Sequence, residues 1–412
     1  MSQIKPFRGI RPRPDGAPDI AAPPYDVVDY EEGRAYVEDK PHSFLRVEKS
    51  EIELPEGAAA EEIFANGARN LQAFLDQGMM IRDETPCLYL YQQKMGDHVQ
   101  VGLVLGASVV EYDEGKIKTH EHTRQDKELE RTLHVDTIGA NTGPVFLTYR
   151  AVADVDALAA KICARTPDVD FVSEDGVGHT LWVVSDAQEV QQLVDLFATQ
   201  VPHLYVADGH HRSAAASNVL KRRVERGMGA TGDEPWYHFL VVVFPHDQMM
   251  IMEYNRVVMD LHGHTPEALR QAVAEKFDIA ETDVARPDAV KTFGMYLDGK
   301  WYRLTAREGT YPANDAVQSL DVAVLQNNLL DPLLGIKDPR TDNRIQFVGG
   351  IRGTQELEKR AEKLGGVGFA LYPTSIVQLM SVADAGEVMP PKSTWFEPKL
   401  RSGMVVKSIN EN

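Results

Sequence analysis

Apolar positions along the chain recur with two periods, and the switches between them predict the elements. From 58 to 77, Phe64, Leu71, Phe74 and Leu75 share one face of a 3.6-residue repeat and Gly78 follows as a stop, so this stretch is a helix. Strands are predicted at 87–93 and at 99–109, the second containing Gly102 and Gly106. A polar block covers 116–131, then the turn Asn141-Thr142-Gly143-Pro144 leads into a strand at 145–149. Helices at 155–163 and 187–197 are separated by short strands around Phe171 and Leu181-Trp182. The sharpest unit is 204–223: an apolar strand, a polar turn, and an alanine-rich helix with basic residues at its end. Past Gly232-Asp233, strands are predicted at 237–244 and 249–258 and near 294–297, 301–305 and 367–371. Helices are predicted there at 266–277, 320–330 and 375–385.

The first thirty residues fit neither period. Arg11-Pro12-Arg13-Pro14 and Ala22-Pro23-Pro24-Tyr25-Asp26 carry prolines that fix φ and remove donors, which predicts an extended segment. Helices and strands alternate without a strict βαβ rhythm, so the fold class is α+β, with mixed sheets and helices. A chain of 412 residues exceeds one ordinary core. The division expected is an N-terminal α+β region over 1–110, a central region over 111–260 and a C-terminal α/β region over 261–412.

Charge narrows the partners. Lys and Arg number 43 against 62 Asp and Glu, a net charge of −19, which disfavours broad contact with nucleic acid or an anionic membrane. The two cysteines, Cys87 and Cys163, lie far apart in apolar runs and read as reduced core residues. The N-terminal residues carry no apolar run of a secretory signal, and no stretch reaches the ~20 apolar residues of a membrane span. The expected location is the cytoplasm.

Candidate chemistry concentrates in Asp208-Gly209-His210-His211-Arg212-Ser213. A strand delivers a carboxylate, glycine permits a tight turn, and imidazoles and a guanidinium arrive where a helix begins. Such a helix start offers unpaired N–H groups and a positive dipole end to phosphate oxygens, and Arg212 adds a bidentate donor. Asp208 is the candidate to hold Mg²⁺ or to orient a nucleophile, unless it only caps the helix. A second cluster is His120-Glu121-His122-Thr123-Arg124. In an extended chain His120 and His122 face one way and Glu121 the other, with Glu121 first choice for a general base. A solvated, salt-bridged loop explains the same residues equally well. Asn141, Thr142, Tyr25, Asp26 and Lys392, the last in Pro390-Pro391-Lys392-Ser393-Thr394, are further candidates to line the cleft.

The pentapeptide from Asp208 to Arg212 before an alanine-rich helix resembles the loop of free-serine kinases in the ParB/sulfiredoxin-like superfamily. Nearly the whole chain is similar to a bacterial family known as domain of unknown function 1015. That similarity includes Ala22-Pro23-Pro24-Tyr25-Asp26-Val27-Val28, Pro41-His42-Ser43-Phe44-Leu45, His120 to Arg124, Asn141 to Phe146 and Met389 to Thr394. Sulfiredoxins need a cysteine in this loop, and His210 stands after Gly209 here. The resemblance implies a ParB/sulfiredoxin-like core and a small-molecule phosphotransferase, with L-serine as acceptor and a nucleotide or pyrophosphate as donor, or the reverse reaction. In that scheme Gly209, His210, His211, Arg212, Ser213 and Lys392 hold phosphate, and Glu121, Asp208 and His210 are catalytic. His120, His122, Arg124, Asn141, Thr142, Tyr25 and Asp26 contact substrate, and Mg²⁺ sits on Asp208. A nucleotide sensor without turnover and a phosphoserine phosphatase are the rival readings.

Overall fold

Strands Leu88–Met95 and His98–Ser108 form a long hairpin on which the sheet of the first 249 residues is built. The computed structural model describes residues 1–410. Across its nine-stranded sheet the order is Ile117–Lys118, Leu204–Asp208, Val145–Tyr149, His238–Pro245, His98–Ser108, Leu88–Met95, Gly178–Val184 and Val169–Val172. Ile4–Lys5 pairs with His98–Ser108 off this path. Two neighbouring pairs are parallel, Ile117–Lys118 with Leu204–Asp208 and Val145–Tyr149 with His238–Pro245. Alternate residues Leu90, Leu105, Leu147, Val206 and Val241 enter one core with Leu158, Leu193 and Phe197 from helices Ala153–Cys163 and Ala187–Gln200. Each such side chain contributes ~1.5–3 kcal/mol by leaving water. The architecture is α+β, as the mixed rhythm of the sequence predicts.

Contacts divide the chain into two compact units, Met1–Met249 together with Pro398–Asn412, and Met250–Glu397, rather than at 110 and 260. In the first unit a second, four-stranded sheet runs Met80–Arg82, Gly9–Pro12, Val406–Ser408, Ala140–Asn141 and so knits both ends of the chain together. The second unit carries a six-stranded sheet in the order Phe277–Glu281, Lys300–Ala306, Thr292–Leu297, Val367–Leu371, Tyr254–Val258, Ile345–Gly349, with Met250–Met252 pairing Trp395–Glu397 beside it. No helix among the described residues is long and apolar enough to cross a membrane.

Several elements differ from the pattern-based expectation. Within the polar block and beyond it, Gln125–Ile138 is a helix whose buried residues are Arg131, Thr132 and His134, so hydrophobic periodicity could not reveal it. The strand expected over 249–258 breaks at Glu253 into Met250–Met252 and Tyr254–Val258. The helix expected to reach 277 stops at Val273, and Phe277 opens a strand instead. The proline-rich start holds a helical turn, Ala17–Ile20, with Pro18 in the first turn, where its missing N–H is not needed.

Lys407 is the energetic oddity of the first unit. It is buried in Val406–Ser408, its Nζ donates to the carbonyl of Pro235 at 2.7 Å, and burial, helped by Lys5, lowers its pKa from 10.5 to about 7. Between these two values the unfolded chain binds the proton and the folded one does not, so stability should climb as pH rises from about 7 toward 10.5. Urea titrations across this range should show that climb, and Lys407→Met should flatten it. An equally steep climb in the variant would assign it to other groups.

Candidate functional site

Three strand ends meet at one corner of the nine-stranded sheet. Leu204–Asp208 runs parallel to Ile117–Lys118, with Leu204 opposite Ile117 and Tyr205 opposite Lys118, so the residues after Lys118 travel beside Val206 to Asp208. On the other side it runs antiparallel to Val145–Tyr149, with Asp208 opposite Phe146, which brings Asn141 to Pro144 to the same end. A register irregularity between Val206 and Asp208 interrupts this ladder, the kind of bulge that re-aims a side chain. Gly209 then turns the chain at φ 101°, and helix His210–Glu225 begins. A Cβ on Gly209 would lie 3.3 Å from Val145 Cγ1, so both conformation and space favour glycine here. Ala214, Ala215 and Ala216 are buried, and their small side chains let the helix lie close to its neighbours.

Asp208 sits among cations. Lys399 Nζ donates to its Oδ2 at 3.0 Å. Burial favours its neutral acid, but Lys399 and Arg212 override this and hold the carboxyl well below the usual range. Arg212 is itself largely buried: it donates to the carbonyl of Pro144 and lies 3.6 Å from Asp26 Oδ2. Burial works against its charge, and Asp26 and Asp208 more than offset that. A carboxylate already paired with an ammonium and beside a guanidinium does not fit the expected Mg²⁺ ligand, because that ion needs the same lone pairs.

Next to this group the chain after Lys118 bends at Glu121 instead of remaining extended. His120 is consequently buried while His122 is exposed, so the two histidines do not share a face, and His120 and Glu121 both approach His210. The rings of His120 and His210 meet edge to face with centroids 4.5 Å apart. His210 Nδ1 is 3.7 Å from Glu121 Oε2. Burial lowers the pKa of His120 to about 4, and burial with His120 nearby lowers His210 well below its usual value, so both imidazoles are neutral at pH 7. His211 Nε2 accepts the backbone N–H of Arg124 at 3.1 Å, which ties the second cluster to the loop. The Arg124 side chain pairs with Asp126 at 2.8 Å.

The remaining candidates separate into three groups. Tyr25 lies beneath the Arg131 guanidinium at 3.9 Å, and burial raises its pKa to about 12. Thr142 bonds to the buried Glu48 carboxyl, which burial pushes up against the pull of Arg131. Tyr25, Thr142, Asn141, Arg131, Glu48 and Arg212 line one small cavity behind the loop. Asn141 has a structural task as well, accepting from the Leu240 N–H at 3.3 Å. Ser213 turns inward: its N–H and its hydroxyl both go to the Gly209 carbonyl. Lys392 belongs to the second unit, where its carbonyl accepts from Arg256 at 2.9 Å and its ammonium stands 5.6 Å from the Tyr254 ring centroid.

Sequence reasoning left Lys399, Glu48 and Arg131 out of the site. Lys399 is a cation shortly after the Pro390-Pro391 segment, and nothing in local pattern pairs residues 191 positions apart.

A family profile described as a protein of unknown function, DUF1015, matches residues 4–323. The chain belongs to this family. None of the curated proteins matches it. Solved structures similar to this DUF1015 chain include a free serine kinase in complex with AMP, at 13% identity and a TM-score of 0.34, over 72% of this chain and 86% of that one. Another is a conserved hypothetical protein from Pyrococcus furiosus, at 16% and 0.33, over 76% and 97%. A C-terminally truncated SbnI from Staphylococcus aureus is similar at 14% and 0.35, over 71% and 82%.

The strained turn carries its own prediction. Gly209→Ala forces a side chain into a left-handed conformation against Val145, and should cost about 1–3 kcal/mol in urea unfolding. An unchanged midpoint would mean that the turn relaxes freely.

Proposed function

We propose that the first unit is a small-molecule phosphotransferase whose phosphate site is the start of helix His210–Glu225. The observation that carries this reading is the ion group at that start, where Asp208 holds Lys399 at 3.0 Å next to Arg212. Two cations gathered at a positive helix end suit the oxygens of a phosphoryl group, whose transfer depends chiefly on positioning and charge stabilisation. The N–H groups of His210, His211 and Arg212, in the first turn and so without intrahelical acceptors, supply the donors. Asp208 acts here as the group that positions Lys399 and Arg212.

In the forward direction the acceptor hydroxyl oxygen bonds to phosphorus, the bond from phosphorus to the donor's bridging oxygen breaks, and the hydroxyl proton leaves to Glu121. Glu121 suits that task because it is half exposed and stands beside the neutral His210. The loop resemblance suggests L-serine as acceptor and a nucleotide or pyrophosphate as donor. His120, His122, Arg124, Asn141, Thr142, Tyr25 and Asp26 remain proposed substrate contacts.

Phosphorus NMR of the protein with L-serine and ATP, ADP or pyrophosphate in turn tests the reading. A resonance of O-phosphoserine that appears only with both partners supports it. If no donor is consumed and phosphoserine is never turned over, the site only binds. Arg212→Ala should weaken pyrophosphate affinity by ~1.5–3 kcal/mol in calorimetry, the usual worth of a charge-assisted contact. Glu121→Gln should lower the rate by ~10²–10⁴ with donor affinity nearly unchanged, and an undiminished rate would remove Glu121 from the chemistry.

A further inference from the structure

Asp208 is engaged by cations, yet three neighbouring side chains offer what it does not. His120, Glu121 and His210 place one donor atom each within 4.8 Å of one another. His120 is 3% exposed and His210 4%. The ring of His120 is bonded to the backbone of Val206, while its Nδ1 is buried without a partner. On His210 the nitrogen that faces Glu121 is Nδ1, and Nε2 is buried on the other side of the ring. Buried polar atoms are normally satisfied, so the orphaned Nδ1 of His120 beside the His210 ring needs an explanation.

The spacing supplies one. His210 Nδ1 and Glu121 Oε2, at 3.7 Å, are too far apart for a hydrogen bond. Two donors on a four-coordinate ion with bonds of about 2.1 Å stand on the order of 3.4 Å apart, close to that separation. A histidine whose ring is anchored to a backbone group while its other nitrogen faces the ion is the usual outer support of a metal ligand.

We propose that His120, Glu121 and His210 bind a divalent transition-metal ion of the Zn²⁺ or Co²⁺ type, adjacent to the phosphate loop and separate from Asp208. Two imidazoles and one carboxylate select such an ion over Mg²⁺, which takes oxygen ligands, and three protein ligands leave a fourth position for water or substrate. The chain's topology explains the grouping: His120 and Glu121 follow a strand parallel to the one that ends at Asp208, and His210 opens the helix after it. The proposal does not need the phosphotransferase reading, and where both hold it replaces the role of base given there to Glu121. A metal-bound Glu121 would act on the acceptor through the ion rather than by taking the proton itself, so the loss of rate in Glu121→Gln does not distinguish the two roles.

The test is therefore binding without turnover. Full-length protein is stripped with chelator, titrated with Zn²⁺ by calorimetry, and titrated with Co²⁺ while its visible absorption is followed. One ion per chain is expected, with Co²⁺ bands of a nitrogen-containing site, and a large excess of Mg²⁺ should not displace it. Glu121→Gln, at a half-exposed position that spares the core, should weaken Zn²⁺ by tenfold or more, and His210→Asn by more. Asp208→Asn removes a nearby charge but no ligand, and should lower Zn²⁺ affinity less than Glu121→Gln does. Circular dichroism accompanies each variant, and Glu121→Gln decides the matter if the histidine variants unfold. No stoichiometric ion, undiminished affinity in Glu121→Gln, ready displacement by Mg²⁺, or loss of Zn²⁺ binding in folded Asp208→Asn would each overturn the proposal. Failure here leaves the phosphorus NMR result untouched.

Discussion

Everything at the functional corner depends on keeping a carboxylate charged where the sheet and helix have removed much of its water. An isolated buried ion is prohibitive, and Asp208 is tolerated because Lys399 and Arg212 share its field. The same pairing holds the two cations within reach of the helix start. Arg212 in turn needs the Pro144 carbonyl and Asp26, so the loop draws the segment before Val145–Tyr149 and the proline-rich N-terminal stretch toward itself. The site is thus a network in which each charge offsets its neighbour's partial loss of water.

The helices behind the loop are locked by a similar device. Asp136, on Gln125–Ile138, receives Arg223 Nε at 3.0 Å and Arg226 at 2.9 Å from the far end of His210–Glu225. The helix that follows the turn at Gly209 is therefore clamped at its C-terminal end to the helix that follows the His120–Arg124 segment. Small alanines on its buried face permit the close packing, and the ion group resists sliding.

Much of this was legible in the sequence wherever local chemistry was sufficient. The strand, glycine turn and helix of 204–223 announce themselves, because an apolar run, a residue suited to positive φ and an alanine-rich stretch follow in order. The helix Ala60–Asp76 is equally plain, with Phe64, Leu71 and Phe74 on its buried face. Gln125–Ile138 stayed hidden because it turns Arg131 and His134 inward, and polar residues on a buried face erase the amphipathic signal. The bend at Glu121 was hidden too. An extended reading puts neighbouring residues on opposite faces, and only tertiary packing brings His120 and Glu121 to one ring. Lys399 is the hardest case, since its meaning depends on a partner from the middle of the chain.

That long reach bears on the order in which the protein takes shape. Residues 250–397 form a unit of their own, interposed in the chain between Asp208 and the lysine that neutralises it. The closing segment also supplies Val406–Ser408, the strand that bridges Gly9–Pro12 and Ala140–Asn141. Domains generally fold as units during synthesis, N-terminal parts first. A ribosome-bound chain ending anywhere before residue 398 therefore carries an open sheet and an Asp208 offset by Arg212 without Lys399, however complete its earlier elements are. The second unit can fold while the first still waits, so competence at the loop arrives only with the segment from 399 to 408 rather than with the motif itself.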